Sequence, residues 1–112
     1  MTKREVTQLS YEITGLAIKV HKVLGTGLLE SVYERCLKYE LIKNGYEVKQ
    51  QMNVPVVYED TVIDTDFRLD LLVEDCVILE LKAIEKVPPL EEAKLLTYMK
   101  LLKKPQGLLI NF

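Results

Sequence analysis

The chain of 112 residues is 48% hydrophobic and 29% charged, the balance expected of one soluble domain over residues 1–112, with enough apolar side chain for one core and too little for a large enclosed pocket. Fifteen Lys and Arg against seventeen Asp and Glu leave a formal net charge of -2, which excludes a global basic field that captures nucleic acid non-specifically, so any phosphate contact must be local. Cys36 and Cys76 lie far apart and outside any CxxC or Cys/His cluster, so neither a zinc site nor a disulfide framework is expected. No apolar run approaches the ~20 residues that span a bilayer, and Met1-Thr2-Lys3-Arg4-Glu5 is not followed by the apolar stretch of a signal peptide, which gives the expectation of a cytoplasmic protein without a membrane partner.

From Val6 to Leu24, Val6, Leu9, Ile13, Leu16, Ala17, Val20, Val23 and Leu24 recur at steps of three and four, which predicts an amphipathic helix closed by Gly25 in the left-handed conformation. His21, the only histidine, has no Asp, Ser or Cys partner at a readable spacing, so no catalytic triad is visible and it reads as a structural or surface residue. A second helix is predicted from Leu29 to Lys43, with Leu29, Val32, Tyr33, Cys36, Leu37 and Leu41 on one face and Gly45 as its stop. Glu30 in its first turn has two readings. It complements the partial positive charge of the helix N-terminus, or it approaches acids at the end of the sheet through the glycine-bearing turn beside it.

Tyr46–Lys49 and Val54–Tyr58 are rich in β-branched and aromatic residues and fit one bent strand or two short ones, with Pro55 marking an edge or a break. Glu59-Asp60 reads as a turn, and Thr61–Val73 as one long strand, polar in its first half and apolar in its second apart from Asp70. Glu74-Asp75 turns it back into Cys76–Ala83, the continuous apolar run of a central strand covered on both faces. Pro88-Pro89 suits the start of a third helix, about Leu90 to Lys103, because a missing N–H is harmless there. Pro105 and Gly107 break that helix, and Leu108–Ile110 forms a last short strand. A strand–helix–strand crossover puts the last strand parallel to its neighbour, so the fold class is α/β: a three-layer sandwich with a mixed central β-sheet flanked by helices.

Within this frame Glu80 and Lys82 break a local rule, since a buried strand carries ionised side chains only at a desolvation cost of several kcal/mol or more unless a partner or metal compensates. Alternation places Ile78, Glu80 and Lys82 on one face and Val77, Leu79 and Leu81 on the other. A carboxylate beside an ammonium, with Asp70 adding a second carboxylate from the neighbouring strand, can hold a divalent cation next to a positive charge. The plainer alternative is an ordinary Glu–Lys pair on a half-exposed face. Asp70 stands beside Glu80 only if the hairpin pairs Val73 with Val77 and loops through Glu74, Asp75 and Cys76; a two-residue turn sends the carboxylates to opposite faces. Lys94, Lys100, Lys103 and Lys104 read as a solvated face of the third helix, or as phosphate contacts.

Gly27-Leu28-Leu29-Glu30-Ser31-Val32-Tyr33 resembles the signature of the GxxExxY proteins. Val20-His21-Lys22-Val23-Leu24-Gly25, Asp70-Leu71-Leu72-Val73, Glu80-Leu81-Lys82-Ala83 and Gly107-Leu108-Leu109-Ile110-Asn111-Phe112 resemble the same family, so the likeness runs through nearly the whole chain. That family is grouped with the PD-(D/E)XK nucleases. The resemblance implies a restriction-endonuclease-like core, α-β-β-β-α-β with an extra N-terminal helix. It implies Asp70 and Glu80 as metal-binding catalytic acids, the backbone carbonyl of Leu81 as a further metal ligand, and Lys82 as the lysine that positions the nucleophilic water or stabilises charge. By the same resemblance Glu30 is a helix-borne acid added to the catalytic and metal site, and Tyr33 is a packing residue. Where the family pattern has glutamine, in Gln-Leu-Leu-x-Tyr, this chain has Lys94-Leu95-Leu96-Thr97-Tyr98, which makes Lys94 a substrate phosphate contact or marks a site that has drifted from catalysis. The implied activity is Mg²⁺- or Mn²⁺-dependent hydrolysis of phosphodiester bonds, with DNA the expected nucleic acid and RNA the alternative, in a protein acting alone, as a homodimer or in a larger assembly. The competing reading is a catalytically inactive module that keeps the nuclease fold to bind nucleic acid or protein.

Overall fold

Two helices open the chain. The first, α1 (Lys3–Leu24), begins three residues ahead of the apolar repeat because Thr2 caps it: the Glu5 N–H donates to Thr2 Oγ1 at 3.1 Å and the Thr2 N–H donates to the Glu5 carboxylate at 2.9 Å. Gly25 ends it with φ 71° and ψ -162°, a positive φ as expected but extended in ψ rather than left-handed helical, and its N–H still closes on the His21 carbonyl at 2.8 Å. The second helix, α2 (Glu30–Lys43), follows Leu29, which supplies no side-chain cap. The computed structural model describes residues 1–112. None of the helices is long and apolar enough to cross a membrane.

Six strands and a third helix complete the chain: β1 (Val48–Asn53), β2 (Val56–Tyr58), β3 (Thr61–Ile63), β4 (Arg68–Val73), β5 (Val77–Lys82), α3 (Pro89–Leu102) and β6 (Gln106–Asn111). The main sheet has the order β1-β4-β5-β6, antiparallel except for the parallel β5–β6 pair that the α3 crossover imposes. Pro89 occupies the first turn of α3. On one face Leu71, Val73, Leu79 and Leu81 pack with Ile13, Ala17, Val20, Tyr33, Leu37 and Leu41 of α1 and α2. On the other, Leu69, Leu72 and Ile78 pack with Leu95 and Tyr98 of α3. This is the three-layer mixed α/β sandwich that the periodicities predict, with the additional helix at the N-terminus.

Two expectations need correcting. Thr61–Val73 is not one strand. It divides at residues 64–67, because β3 is exposed throughout and pairs only with β2 in a separate two-stranded sheet, whereas β4 enters the core. The division is pinned by hydrogen bonds: Thr65 Oγ1 donates to the Val54 carbonyl at 2.7 Å, the Phe67 N–H donates to Thr65 Oγ1 at 3.1 Å, and the Val54 N–H donates to the Phe67 carbonyl at 2.8 Å. Nor is Gly107 a breaker. It lies inside β6, where a Cβ would stand 2.8 Å from Leu95 Cδ1 and 2.9 Å from Met99 Sδ, so glycine is what lets α3 settle directly onto the sheet.

Candidate active site

The β4–β5 hairpin pairs Val73 with Val77, Leu72 with Ile78 and Leu71 with Leu79. Its loop is therefore Glu74-Asp75-Cys76, with Glu74 and Asp75 both at positive φ (53° and 54°) and the Cys76 N–H donating to the Val73 carbonyl at 3.0 Å. Extending that register one step sets Asp70 opposite Glu80. Regular pairing stops just before them, and their side chains take over its hydrogen bonds. The Asp70 N–H donates to Glu80 Oε1 at 3.3 Å, and the Leu81 N–H donates to Asp70 Oδ2 at 2.7 Å. The two strands part at this end of the sheet, and the acids occupy the seam.

Glu80 is only 4% exposed. Burial, and then the charge of Asp70, push its carboxyl up to about 7, against the opposing pull of Lys94, the Asp70 N–H and Lys82. At neutral pH the site thus resists carrying both charges, and a bound cation would remove that resistance. The donor set is hard oxygen, the kind that suits Mg²⁺ or Mn²⁺. In extended backbone the N–H and C=O of one residue face the same neighbour, so the Leu81 carbonyl lies on the edge of β5 that its N–H presents to Asp70. No three His, Cys, Asp or Glu side chains converge closely enough to hold a metal by themselves, so a cation here needs that carbonyl or water in addition to the two acids.

Lys82 follows Glu80 on the same face and is held at 3.2 Å by Glu91, which lies in the first turn of α3. Burial works against its charge, but the Glu91 hydrogen bond, the Glu91 charge and then the charges of Glu30 and Glu80 more than offset this, so its pKa rises above the ordinary lysine value. Lys82 is a firmly cationic group beside the acids. Lys94 comes from the next turn of α3, close enough to Glu80 to favour its ionised form, with its ammonium 5.7 Å from the centroid of the Tyr98 ring. The Tyr98 hydroxyl is buried without a hydrogen-bond partner, and its pKa is pushed up to about 12 by burial and then by the charges of Glu80, Asp70 and Glu91.

Glu30 is exposed at the start of α2. Its charge reaches Lys82, but it does not join Asp70 and Glu80 in a metal-holding group; the α2 side chain linked by hydrogen bonds toward Asp70 comes from the following turn. That residue is Glu34, 8% exposed. It accepts hydrogen bonds from Gln50 Nε2 at 2.6 Å and from Gln51 Nε2 at 3.0 and 3.2 Å, and the same Gln51 nitrogen lies 3.2 Å from Asp70 Oδ1. Glu34, Gln51 and Glu91 all escape a reading of the sequence. The available signals were Glu34 one turn before Leu37 on a buried helical row, and Glu91 in the first turn of a helix that packs on the Lys82 face.

Tyr33 is fully buried and stacks on Phe112 with centroids 4.5 Å apart and planes 4° apart. Its hydroxyl donates to the Gly25 carbonyl at 2.5 Å and accepts from the Leu28 N–H at 3.3 Å. Gly27, at φ 96°, lies within the loop so held. Tyr33 therefore pins the Gly25–Leu28 loop that delivers α2 to the sheet. His21 packs near Phe112, with ring centroids 6.1 Å apart, and has no part in the acid cluster. None of the surface hollows includes Asp70, Glu80 or Lys82; the acids lie in a seam between strands rather than in a pocket.

A mixed sheet with helices on both faces, whose central antiparallel strands separate around a carboxylate pair followed by a lysine, is an arrangement that can set a divalent cation beside a fixed positive charge, as metal-assisted hydrolysis requires. The chain matches the family model of the PD-(D/E)XK nuclease superfamily over residues 7–112 and belongs to that superfamily. This membership supports a nuclease-like function with nucleic acid as the class of substrate, and proteins of this superfamily generally use divalent metals. No curated protein and no solved structure matches the chain.

Proposed function

We propose that this protein is a divalent-metal-dependent nuclease that hydrolyses phosphodiester bonds in DNA, with Asp70, Glu80 and the Leu81 carbonyl as cation ligands. The observation that carries this reading is the opposed Asp70–Glu80 pair, locked to the backbone by the Leu81 and Asp70 N–H groups. When bound, Mg²⁺ or Mn²⁺ polarises a phosphoryl oxygen and makes water a stronger acid. The chain's own residues supply the rest. Lys82, oriented by Glu91, stabilises negative charge that develops on the phosphoryl group. Lys94, whose charge acts on Glu80, meets a substrate phosphate. Glu30 helps hold Lys82 cationic from the α2 side.

The test is cleavage of single-stranded, duplex and branched DNA, and of RNA, by the purified protein with Mn²⁺ or Mg²⁺. Wild type is expected to cleave only with metal, while Glu80→Gln and Lys82→Ala each lower cleavage by about 10²–10³ or more and remain folded. A second reading, a nuclease-fold binding module without catalysis, draws on the Lys82–Glu91 ion pair, which occupies the lysine that the reaction requires. Metal-independent binding of nucleic acid, with no cleavage of any substrate, selects that reading.

A further inference from the structure

Gln51 sits in the middle of β1, directly across from Asp70. The β1–β4 register pairs Gln50 with Leu71 and Met52 with Leu69 but skips the Gln51–Asp70 position between them. Gln51 has φ 52°, the left-handed region that a residue with a side chain rarely adopts and that concentrates where structure over-determines it. In a regular strand Gln50 and Gln51 point to opposite faces. Here both amides reach the same Glu34 carboxylate, so the left-handed turn swings the Gln51 side chain round to the α2 side. The Arg68 guanidinium steadies the turned backbone by donating to the Gln51 carbonyl at 3.2 Å. At the far end Lys38 Nζ donates to Gln50 Oε1 at 3.0 Å. A continuous run of hydrogen bonds therefore leads from α2 through Glu34 and Gln51 to Asp70.

We propose that Gln51 is a positioning residue: its amide nitrogen, shared between the buried Glu34 and Asp70, fixes the plane in which the Asp70 carboxylate presents its free lone pairs to a divalent cation. This rests on the reading of Asp70 as a cation ligand. Each Asp70 oxygen has one donor already, the Leu81 N–H on Oδ2 and Gln51 on Oδ1, so the carboxylate cannot rotate without breaking one of them, and a lone pair on each oxygen remains for a ligand. Glu34 in turn holds the Gln51 amide, which is itself on an exposed residue, in the one orientation that serves Asp70. Hydrogen-bonded neighbours that orient metal ligands are worth 10–100-fold in metal affinity or activity when removed.

Two substitutions separate side chain from backbone. Gln51→Met keeps the length and removes the donor. Gln51→Gly removes the side chain but favours the positive φ, so the fold is retained even if the turn matters for stability. Both variants are expected to bind Mn²⁺ roughly 10-fold or more weakly than wild type by isothermal titration, and to lose kcat rather than gain KM in Mn²⁺-dependent cleavage. A double-mutant cycle of Gln51→Met with Asp70→Asn, read by urea unfolding without metal, is expected to show coupling of about fivefold or more in the unfolding equilibrium. Wild-type Mn²⁺ affinity and kcat in both Gln51 variants overturn the proposal. If wild type binds no Mn²⁺ at all, the cation-site reading falls, and the cycle alone decides: coupling keeps Gln51 as the residue that positions Asp70, and its absence overturns that as well.

Discussion

The chain contains two β-hairpins of similar apolar content and opposite surroundings. In β4–β5 the residues Leu69, Leu71, Leu72, Val73, Val77, Ile78, Leu79 and Leu81 are almost inaccessible, and the two acids of the seam lie among them. In β2–β3, Val57, Tyr58, Val62 and Ile63 are between 44% and 68% exposed, and the hairpin forms a sheet of its own. The inner hairpin thus holds charge where desolvation is costly, and the outer one holds apolar side chains where water covers them. Hydrophobicity by residue does not separate the two; the layers above and below do. The difference explains why the candidate chemistry belongs to β4–β5, since the carboxyl of Glu80 is raised chiefly because its surroundings deny it water.

The sharpest way to break this comparison is to remove charge from the inner hairpin. Lys82→Ala is expected to lower the rate of metal-dependent cleavage by about 10²–10³, the scale of losing one group that stabilises transition-state charge, and Glu80→Gln to lower it at least as far. Single-turnover cleavage measures both, with circular dichroism confirming the fold. Next in size is packing. Ile78→Ala is expected to destabilise the protein by about 2–5 kcal/mol in urea unfolding, because a fully buried side chain leaves a cavity between β5 and α3, whereas Val62→Ala on the outer hairpin stays within about 0.5 kcal/mol. Equal costs would show that the outer hairpin is buried in solution.

The pH dependence comes next. The Glu80 carboxyl stands at about 7 in the folded protein against 4.5 as its ordinary value, so between those values the folded state holds a proton that the unfolded chain has released. The metal-free protein therefore loses stability as pH rises from about 4.5 through about 7, at up to about 1.4 kcal/mol per pH unit and roughly 3 kcal/mol over the window. Glu80→Gln, whose amide does not ionise, is expected to remove this slope and to be the more stable protein at pH 8. Urea unfolding of both proteins at pH 5, 6, 7 and 8 measures it, and parallel curves contradict the assignment.

Much of this was legible in the residues themselves. The steps of three and four in α1 and α2, the prolines ahead of α3 and the continuous apolar run of β5 each have one economical structural meaning, and a mixed sheet flanked by helices follows from them. The phase of the β4–β5 hairpin was reduced to two choices by strand alternation, and the three-residue loop is the one that brings Asp70 to Glu80. The division of Thr61–Val73 was not legible, because Val62 and Ile63 read as strand whether or not a sheet receives them. Gln51 carried no mark either: Gln-Gln-Met-Asn contains no glycine to announce a positive φ, and that conformation is imposed by the tertiary contacts of Glu34, Asp70 and Arg68. Glu34 was obscured because carboxylates on helices are ordinarily solvated, and only the packed structure reveals that this one is buried.

The central claim is that Asp70 and Glu80 form a cation site held by the parting of β4 and β5. Titrating Mn²⁺ into wild type and Glu80→Gln by calorimetry at pH 6 and pH 8 tests it most directly. The expected result is one weak site in wild type, tighter at pH 8 and accompanied by proton release at pH 6, with affinity at least about tenfold lower in Glu80→Gln. Equal affinity in the two proteins, with no proton released at pH 6, would contradict it.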